Sequence, residues 1–299
     1  MYTLSDLARG ASDPRAAARE VNRIFHTRGG FADGNPNGVS IFSKEWDNLI
    51  ILDSCRLDEF KKESTLPGDL ETHESLGGAT FEFIRTNFSG MKLHDVVYVS
   101  ANSWFLKLKD EIDSEVYKYV DLQTGEDDID YVNRDLLIVD PEYVTETALR
   151  INDRYPDKRL LIHYLQPHHP FIGKEGRDIE QRSQSLIEVV RNNKLFNSES
   201  VREAYSENLS IVLAEVEKLL EQFNGRTVIT ADHGEMLGDR HDYLPIRDYG
   251  HYGGIYNSAL TEVPWLVHDT GRRKSVEEEK PINEVHDEVE DRLKKLGYA

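Results

Sequence analysis

Short, continuous apolar runs alternate along the chain with segments whose apolar residues recur every three or four positions. Asn48–Asp53 (NLIILD) carries an unbroken apolar centre and ends on an acid. That is the pattern of a strand buried on both faces. Asp95–Ala101 (DVVYVSA), Arg159–Leu165 (RLLIHYL), Thr227–Ala231 (TVITA) and Val263–Val267 (VPWLV) read the same way. Helical spacing is clearest over Ser200–Phe223, where Val201, Ala204, Tyr205, Leu209, Val212, Val216, Leu219 and Phe223 form one stripe before Asn224-Gly225 ends it. Pro141–Tyr155 and the last fifteen residues are predicted as further helices. Strands separated by helices predict an α/β fold, a three-layer α/β/α sandwich around a mainly parallel sheet. Gly29–Gly38 and the acidic Asp110–Asp130 lack the apolar content of a separate domain and read as loops or lids. Residues 1–40 are then an N-terminal helical extension and loop, and residues 41–299 a single domain.

The 299 residues are enough for a sizeable core, and 38% hydrophobic with 30% charged residues is a folded, globular composition. Runs such as Leu49-Ile50-Ile51-Leu52 are too short for a transmembrane helix. The N-terminal segment MYTLSDLARGASDPRAAAREV has no apolar core of secretory type, so a cytoplasmic location is expected. One cysteine, Cys55, excludes an intramolecular disulfide and a cysteine-cluster metal site. A net charge of −19 and only short basic runs argue against nucleic acid as a stable partner. Lysine is sparse (15 Lys against 21 Arg) and acids are spread throughout, which fits a halophilic source where salt screens carboxylate repulsion.

Open α/β sheets bind ligands outside the carboxyl ends of their strands. Asp53 follows LIIL, Asn102 follows DVVYVSA, His168 and His169 follow LLIHYLQP, and Asp232 and His233 follow TVITA. One such residue is an ordinary turn former. Carboxylates, imidazoles and an amide gathered at a single edge have the character of a metal or phosphate site.

These segments resemble a known family. ADHGEMLGD at 231–239 is similar to the signature of the alkaline phosphatase superfamily, on its sulfatase-like and phosphodiesterase-like branch. DNLIILDSCRLD at 47–58 resembles that family's first strand and metal aspartate, and YLQPHHPF at 164–171 its PHxP segment. HYGGIYNSALTEVPWLV at 251–267 resembles the closing stretch, where a histidine precedes a VPxxV strand. The resemblance implies an alkaline-phosphatase-like α/β/α fold and metal-assisted phosphoryl or sulfuryl transfer, with Asp53, Asp232 and His233 as metal ligands. The chemistry agrees, because a dianionic ester repels nucleophiles unless a divalent cation (Zn, Mn, Mg or Ca) neutralises its oxygens.

In the family the nucleophile follows a loop and opens a helix. Ser75–Gly90 reads SLGGATFEFIRTNFSG, with Gly77-Gly78 giving backbone freedom and Thr80 opening the helix. A hydroxyl there lies among unpaired N–H groups at the positive end of the dipole, where an anion is held and an alkoxide stabilised. Thr80 is thus nucleophile and fourth metal ligand, with a plain N-cap as its ordinary reading. Ser75, Thr65 and Ser64 compete. Asn102 resembles the phosphate-contacting asparagine of phosphodiesterase-type members, and a turn asparagine is its ordinary reading. His168 fits the PHxP position better than His169. Two-metal members carry an aspartate four residues before that histidine, where this chain has Tyr164. One ion per chain is therefore expected, with two as the alternative, and His168 and His251 are left to bind ester oxygens or act on the leaving group. His163, inside a predicted strand, reads as a buried core residue. His241 lies in a loop near the signature, and His26, His73, His94, His268 and His286 have no pattern behind them.

The resulting expectation is a metal-dependent hydrolase or transferase of phosphate mono- or diesters that forms a phosphothreonine. A sulfatase and a non-catalytic, anion-binding pseudo-enzyme are the alternatives. Sulfatases of this superfamily make formylglycine from the first residue of C/S-x-P-x-R, but Cys55 is followed by Arg56-Leu57-Asp58. Threonine cannot become that aldehyde.

Overall fold

In the computed structural model of the chain, residues 13–30, 34–123, 131–133, 138–177, 179, 181, 185–193 and 197–282 are described. The helix predicted over the last fifteen residues, and His286, lie outside them. In chain order the strands are β1 (Asn48–Leu52), β2 (Asp69–Glu74), β3 (Lys92–Ser100), β4 (Glu115–Asp121), β5 (Tyr131–Asn133) and β6 (Ile138–Val139). They continue with β7 (Arg159–Tyr164), β8 (Arg226–Thr230), β9 (Met236–Arg240), β10 (Arg247–Gly250) and β11 (Glu262–Asp269). The main helices are α1 (Pro14–His26), α2 (Leu57–Glu63), α3 (Thr80–Phe88), α4 (Pro141–Arg154) and α5 (Ser198–Gln222).

The central sheet has the order β2-β11-β8-β1-β7-β3-β4. β1 lies in its middle, parallel to β7 (Leu52 opposite Tyr164) and to β8 (Ile51 opposite Thr230). β3 is parallel to β7 and β4, whereas β11 is antiparallel to β8 and β2. All residues of β1 are buried, as its apolar run requires. One face packs Ile50, Leu52, Ile162 and Ile229 on Val144 and Ala148 of α4 and Leu209, Val212 and Val216 of α5. The other packs Leu49, Ile51, Leu161 and Val228 on Phe83, Ile84 and Phe88 of α3. This is the predicted three-layer α/β/α sandwich.

The strand directions decide where the site forms. The carboxyl ends of β1, β3, β7 and β8 share one edge. Because β11 runs the opposite way, its start, and the residues before it, reach that same edge. β2 is antiparallel to β11 and so delivers the loop leading to Thr80 there as well.

One expectation needs correction, and one strand went unread. Part of Asp110–Asp130 is not a loop, since Glu115–Asp121 is the edge strand β4. β2 (DLETHE) at the opposite edge carries no apolar pattern at all. Edge strands are buried less and tolerate charge, so alternation does not mark them. Residues 34–38 carry neither helix nor strand, yet they are not a loose lid: Asn35 Nδ2 donates to Glu74 Oε1 and to the Ser75 carbonyl, both at 2.9 Å. No helix among the described residues is long and apolar enough to cross a membrane.

Candidate active site

The turn after β1 is built around Ser54, whose φ of +56° is unusual for a residue with a Cβ. It is held from three sides. The Ser54 N–H donates to Asp232 Oδ1 at 2.9 Å, and its carbonyl accepts from Tyr205 of α5 at 2.8 Å. The Arg56 N–H donates to the same tyrosine oxygen, and the Arg56 guanidinium bonds Asp58, Asp239 and the Glu235 carbonyl. The β1 turn and the signature segment are thereby tied together.

Within this frame Asp53 and Asp232 are 1% and 0% exposed. Asp53 Oδ2 accepts from Asn102 Nδ2 at 2.6 Å, and Asp232 Oδ1 accepts from the Ser54 and His233 N–H groups. The remaining oxygens, Asp53 Oδ1 and Asp232 Oδ2, are buried with no hydrogen-bond partner among the described residues. His233 Nδ1 lies 2.7 Å from the Gly234 carbonyl. A carbonyl only accepts, so Nδ1 carries the proton and Nε2 presents a bare lone pair. That nitrogen is 3.1 Å from Thr80 Oγ1, 3.3 Å from Asp232 Oδ2 and 4.0 Å from Asp53 Oδ1.

His163 corrects the sequence reading. It is buried and bonded as expected, with Nδ1 2.9 Å from the Tyr98 hydroxyl. Its Nε2, however, faces the carboxylates, 3.8 Å from Asp53 Oδ2 and 4.0 Å from Asp232 Oδ2, with no hydrogen-bond partner among the described residues. Asp53, His163 and Asp232 each offer a donor atom within 4.8 Å of the others.

Thr80 is the first residue of α3, and the N-cap is Ala79, which makes no side-chain cap bond. The N-cap reading of Thr80 therefore fails. The turn before it is locked by Glu82, whose carboxylate accepts from Gly78 N–H, Gly254 N–H and Tyr256 OH. Gly77 and Gly78 serve close packing rather than backbone freedom. Neither has a positive φ, and a Cβ on Gly78 would collide with the carbonyl oxygens of Ile255 and Tyr252. Ser75 donates to the Asp232 carbonyl and accepts from Gly77, a structural role. Ser64 and Thr65 lie between α2 and the start of β2, at the sheet's opposite edge.

Burial pushes the Asp53 carboxyl well above the usual range and the Asp232 charge adds to this, against the Asn102 bond. Burial lowers His163 to about 4, with Asp232 opposing and His233 assisting. Burial, helped by His251, lowers His233 to about 3. Both imidazoles are thus neutral donors. Two carboxylates and two imidazoles turn lone pairs toward one space, an arrangement that is unfavourable until something positive satisfies it. The donor set fits a divalent cation.

At the open side of this cluster stands His251, its ring 4.3 Å from that of His233 and 5.1 Å from that of His168. His251 Nδ1 is 3.1 Å from Glu235 Oε1. Burial works against its protonation, but the charge and bond of Glu235 outweigh it and raise the pKa. Glu235, 1% exposed, was missed in the sequence, although it stands inside the signature segment. The His168 N–H donates to the Asp53 carbonyl, and Asn208 of α5 donates to the carbonyls of Pro167 and His168. The predicted residues Asp53, Thr80, Asn102, Asp232 and His233 thus meet directly, with His251 and His168 beside them. His241 does not join them, because it pairs with Asp248, which Arg19 of α1 also holds. His73 stacks on Trp265 and His94 bonds Glu115.

No protein-family model and no curated protein matches the sequence. Solved structures do match. The chain overlays on lipooligosaccharide phosphoethanolamine transferase A, an integral membrane protein of Neisseria meningitidis, with TM-score 0.53 and 12% identity. That match covers 89% of this chain and 55% of the other, so the chain spans about half of that relative. The C-terminal periplasmic domain of phosphoethanolamine transferase EptC from Campylobacter jejuni gives TM-score 0.49 at 15% identity, covering 75% and 78%. A Vibrio parahaemolyticus protein in the alkaline phosphatase superfamily gives 0.46 at 13% identity, covering 78% and 61%. The sheet order, the layers and the N. meningitidis overlay agree: this chain shares the three-layer α/β/α fold of the matched part of that transferase.

Proposed function

We propose that the chain is a metal-dependent hydrolase or transferase of phosphate mono- or diesters with Thr80 as its nucleophile, and that residues 41–299 form its catalytic domain. The observation that carries this reading is Thr80 Oγ1 at the start of a helix, 3.1 Å from the bare Nε2 of His233. Buried, unpartnered oxygens of Asp53 and Asp232 stand beside it. Asp53, Asp232, His233 and Thr80 would hold one divalent cation, with His163 as a further donor. When bound, the cation neutralises the carboxylates and ester oxygens and acidifies the Thr80 hydroxyl.

Thr80 Oγ1, its proton released to solvent, attacks phosphorus in line. The Oγ1–P bond forms as the bond to the leaving oxygen breaks, giving a phosphothreonine. Asn102 positions Asp53 with one amide hydrogen and offers the other to a phosphoryl oxygen. His251, protonated through Glu235, donates to the leaving oxygen and then takes the proton of the incoming water or alcohol, which displaces Thr80. The phosphoethanolamine transferases among the structural matches motivate testing an alcohol acceptor beside water.

Phosphate is favoured over sulfate because no cysteine or serine of the site opens a C/S-x-P-x-R motif, and the threonine at the nucleophile position cannot become formylglycine. Cys55 is fully buried within the core. The test is the ratio of kcat/KM for matched aryl phosphate, phosphodiester and sulfate, measured with and without chelator. A phosphate preference that chelation abolishes is expected. A sulfate preference, or full activity after exhaustive chelation, overturns the proposal.

A further inference from the structure

We propose that the tip of the β9–β10 hairpin, together with the end of α1, docks on an anionic lipid surface. The tip, Asp242–Pro245 (DYLP), is exposed at every position. Phe25 of α1 and Tyr243 are 55% and 50% exposed, the two most exposed large apolar side chains among the described residues, and Leu244 adjoins them at 40%. The Phe25 and Tyr243 rings stack at 4.9 Å, so with Leu244 they form one surface rather than scattered side chains.

This surface is held outward from beneath. Asn22 of α1 is fully buried; its Oδ1 accepts from the Tyr243 and Leu244 N–H groups, and its Nδ2 donates to the Leu244 carbonyl. These bonds fix the main chain of the tip while leaving its apolar side chains in solvent.

Charge identifies what covers them. Arg240 and Arg247 stand directly opposite each other across the two strands, a pairing of like charges that destabilises an isolated ribbon. Their guanidinium groups donate to the carbonyls of Pro245 and Gly238 rather than to acids. Arg28, exposed just beyond α1, lines the same hollow as Phe25 and Tyr243. Residues 14–30 and 240–247 together carry six arginines against two acids, Glu20 and Asp242, in a chain of net charge −19. Lipid phosphates complement such a rim, and the boundary between headgroups and acyl chains takes the aromatic and leucine side chains. A protein partner would need a face of about 800 Å², broader than a tip of three side chains offers. The acidic remainder of the chain is repelled by the same lipid, which orients the molecule tip first. Since β9 starts just after Glu235 and β10 ends just before His251, docking also holds the candidate active site at a fixed height above the lipid.

Flotation of the full chain with vesicles tests this without any turnover assay, circular dichroism verifying that each variant is folded. At low salt, wild type should bind vesicles of phosphatidylglycerol and phosphatidylcholine far better than phosphatidylcholine alone. The triple variant Phe25→Ser/Tyr243→Ser/Leu244→Ser should bind the anionic vesicles about tenfold more weakly or worse, and so should Arg28→Glu/Arg240→Glu. Val276→Ser, at an exposed apolar residue elsewhere, should bind as wild type does. Raising the salt should weaken wild-type binding, because it screens the arginines. In Tyr243→Trp, lipids brominated on the acyl chain should quench the new indole. Absence of binding to anionic vesicles, equal binding to both lipids, or wild-type binding by the triple variant overturns the proposal. A dimer that the triple variant dissolves, with no vesicle binding, assigns the tip to a protein interface and overturns it as well.

Discussion

Replacing Thr80 by alanine separates the chemistry of this residue from its contribution to the fold. The side chain is 4% exposed and its hydroxyl bonds His233 Nε2 at 3.1 Å. Since Ala79 occupies the cap position, no cap is lost. The stability change has two parts: about 1 kcal/mol for the hydrogen bond and about 1 kcal/mol for the buried methyl group. A total of about 2 kcal/mol lowers the melting temperature of a chain this long by roughly 4 °C, leaving the protein folded at 25 °C. Turnover should fall far more, by about 10³-fold or beyond, because no other hydroxyl stands in this position. Thr80→Ser keeps the oxygen and should retain measurable activity. The assay is steady-state hydrolysis of an aryl phosphate and an aryl phosphodiester, with acid-quenched protein analysed for phosphothreonine at Thr80. Wild-type-like turnover in folded Thr80→Ala refutes the assignment, as does a phosphoryl group trapped on any other residue.

Asp232→Asn keeps an oxygen for the Ser54 and His233 N–H groups but removes a charge facing Asp53 within 4.8 Å. At an effective dielectric near 20 that repulsion is worth about 3 kcal/mol, so metal-free Asp232→Asn should melt above metal-free wild type, and below it once metal is added. A lower melting point without metal contradicts the crowded-carboxylate argument. Burial holds His163 near 4 in the fold, below its ordinary 6.5, so the unfolded chain binds this proton first as pH falls. Its contribution is fully present above pH 6.5 and decreases by about 3 kcal/mol on approaching pH 4, while Asp53, shifted upward, acts in the opposite direction. His163→Gln should flatten the stability profile of the metal-free protein over this range, and parallel profiles for the two proteins refute the assignment. The net charge of −19 predicts that the melting temperature rises from low to molar salt as repulsion is screened. No rise removes the halophilic reading.

The apolar runs of β1, β3, β7, β8 and β11 were legible because strands buried on both faces leave little choice of residue. The long stripe of α5 was legible for the corresponding reason at helical period. These five strands end at, or lead from, the residues of the candidate site, so Asp53, Asn102, Asp232 and His233 could be chosen from the chain alone. Edge strand β2 was not legible, since its largely exposed DLETHE run carries no apolar pattern, and β4 (EVYKYVD) was masked by the acidic stretch around its apolar positions. Side-chain direction was equally hidden. His163 and Tyr164 are neighbours on one strand, yet the first turns a nitrogen to the carboxylates and the second its hydroxyl into the core. Strand pleating sends them to opposite faces, and only the register against Ile51 and Leu52 decides which face holds the site. Glu235 and the His168–His169 pair are more than sixty residues apart in sequence. What joins them is the turn after β8 folding over the end of β7, held by Arg56, Tyr205 and Asn208. Local pattern marks the buried strands and the long helix, but such a meeting depends on loops whose course is set by long-range hydrogen bonds that no local pattern records.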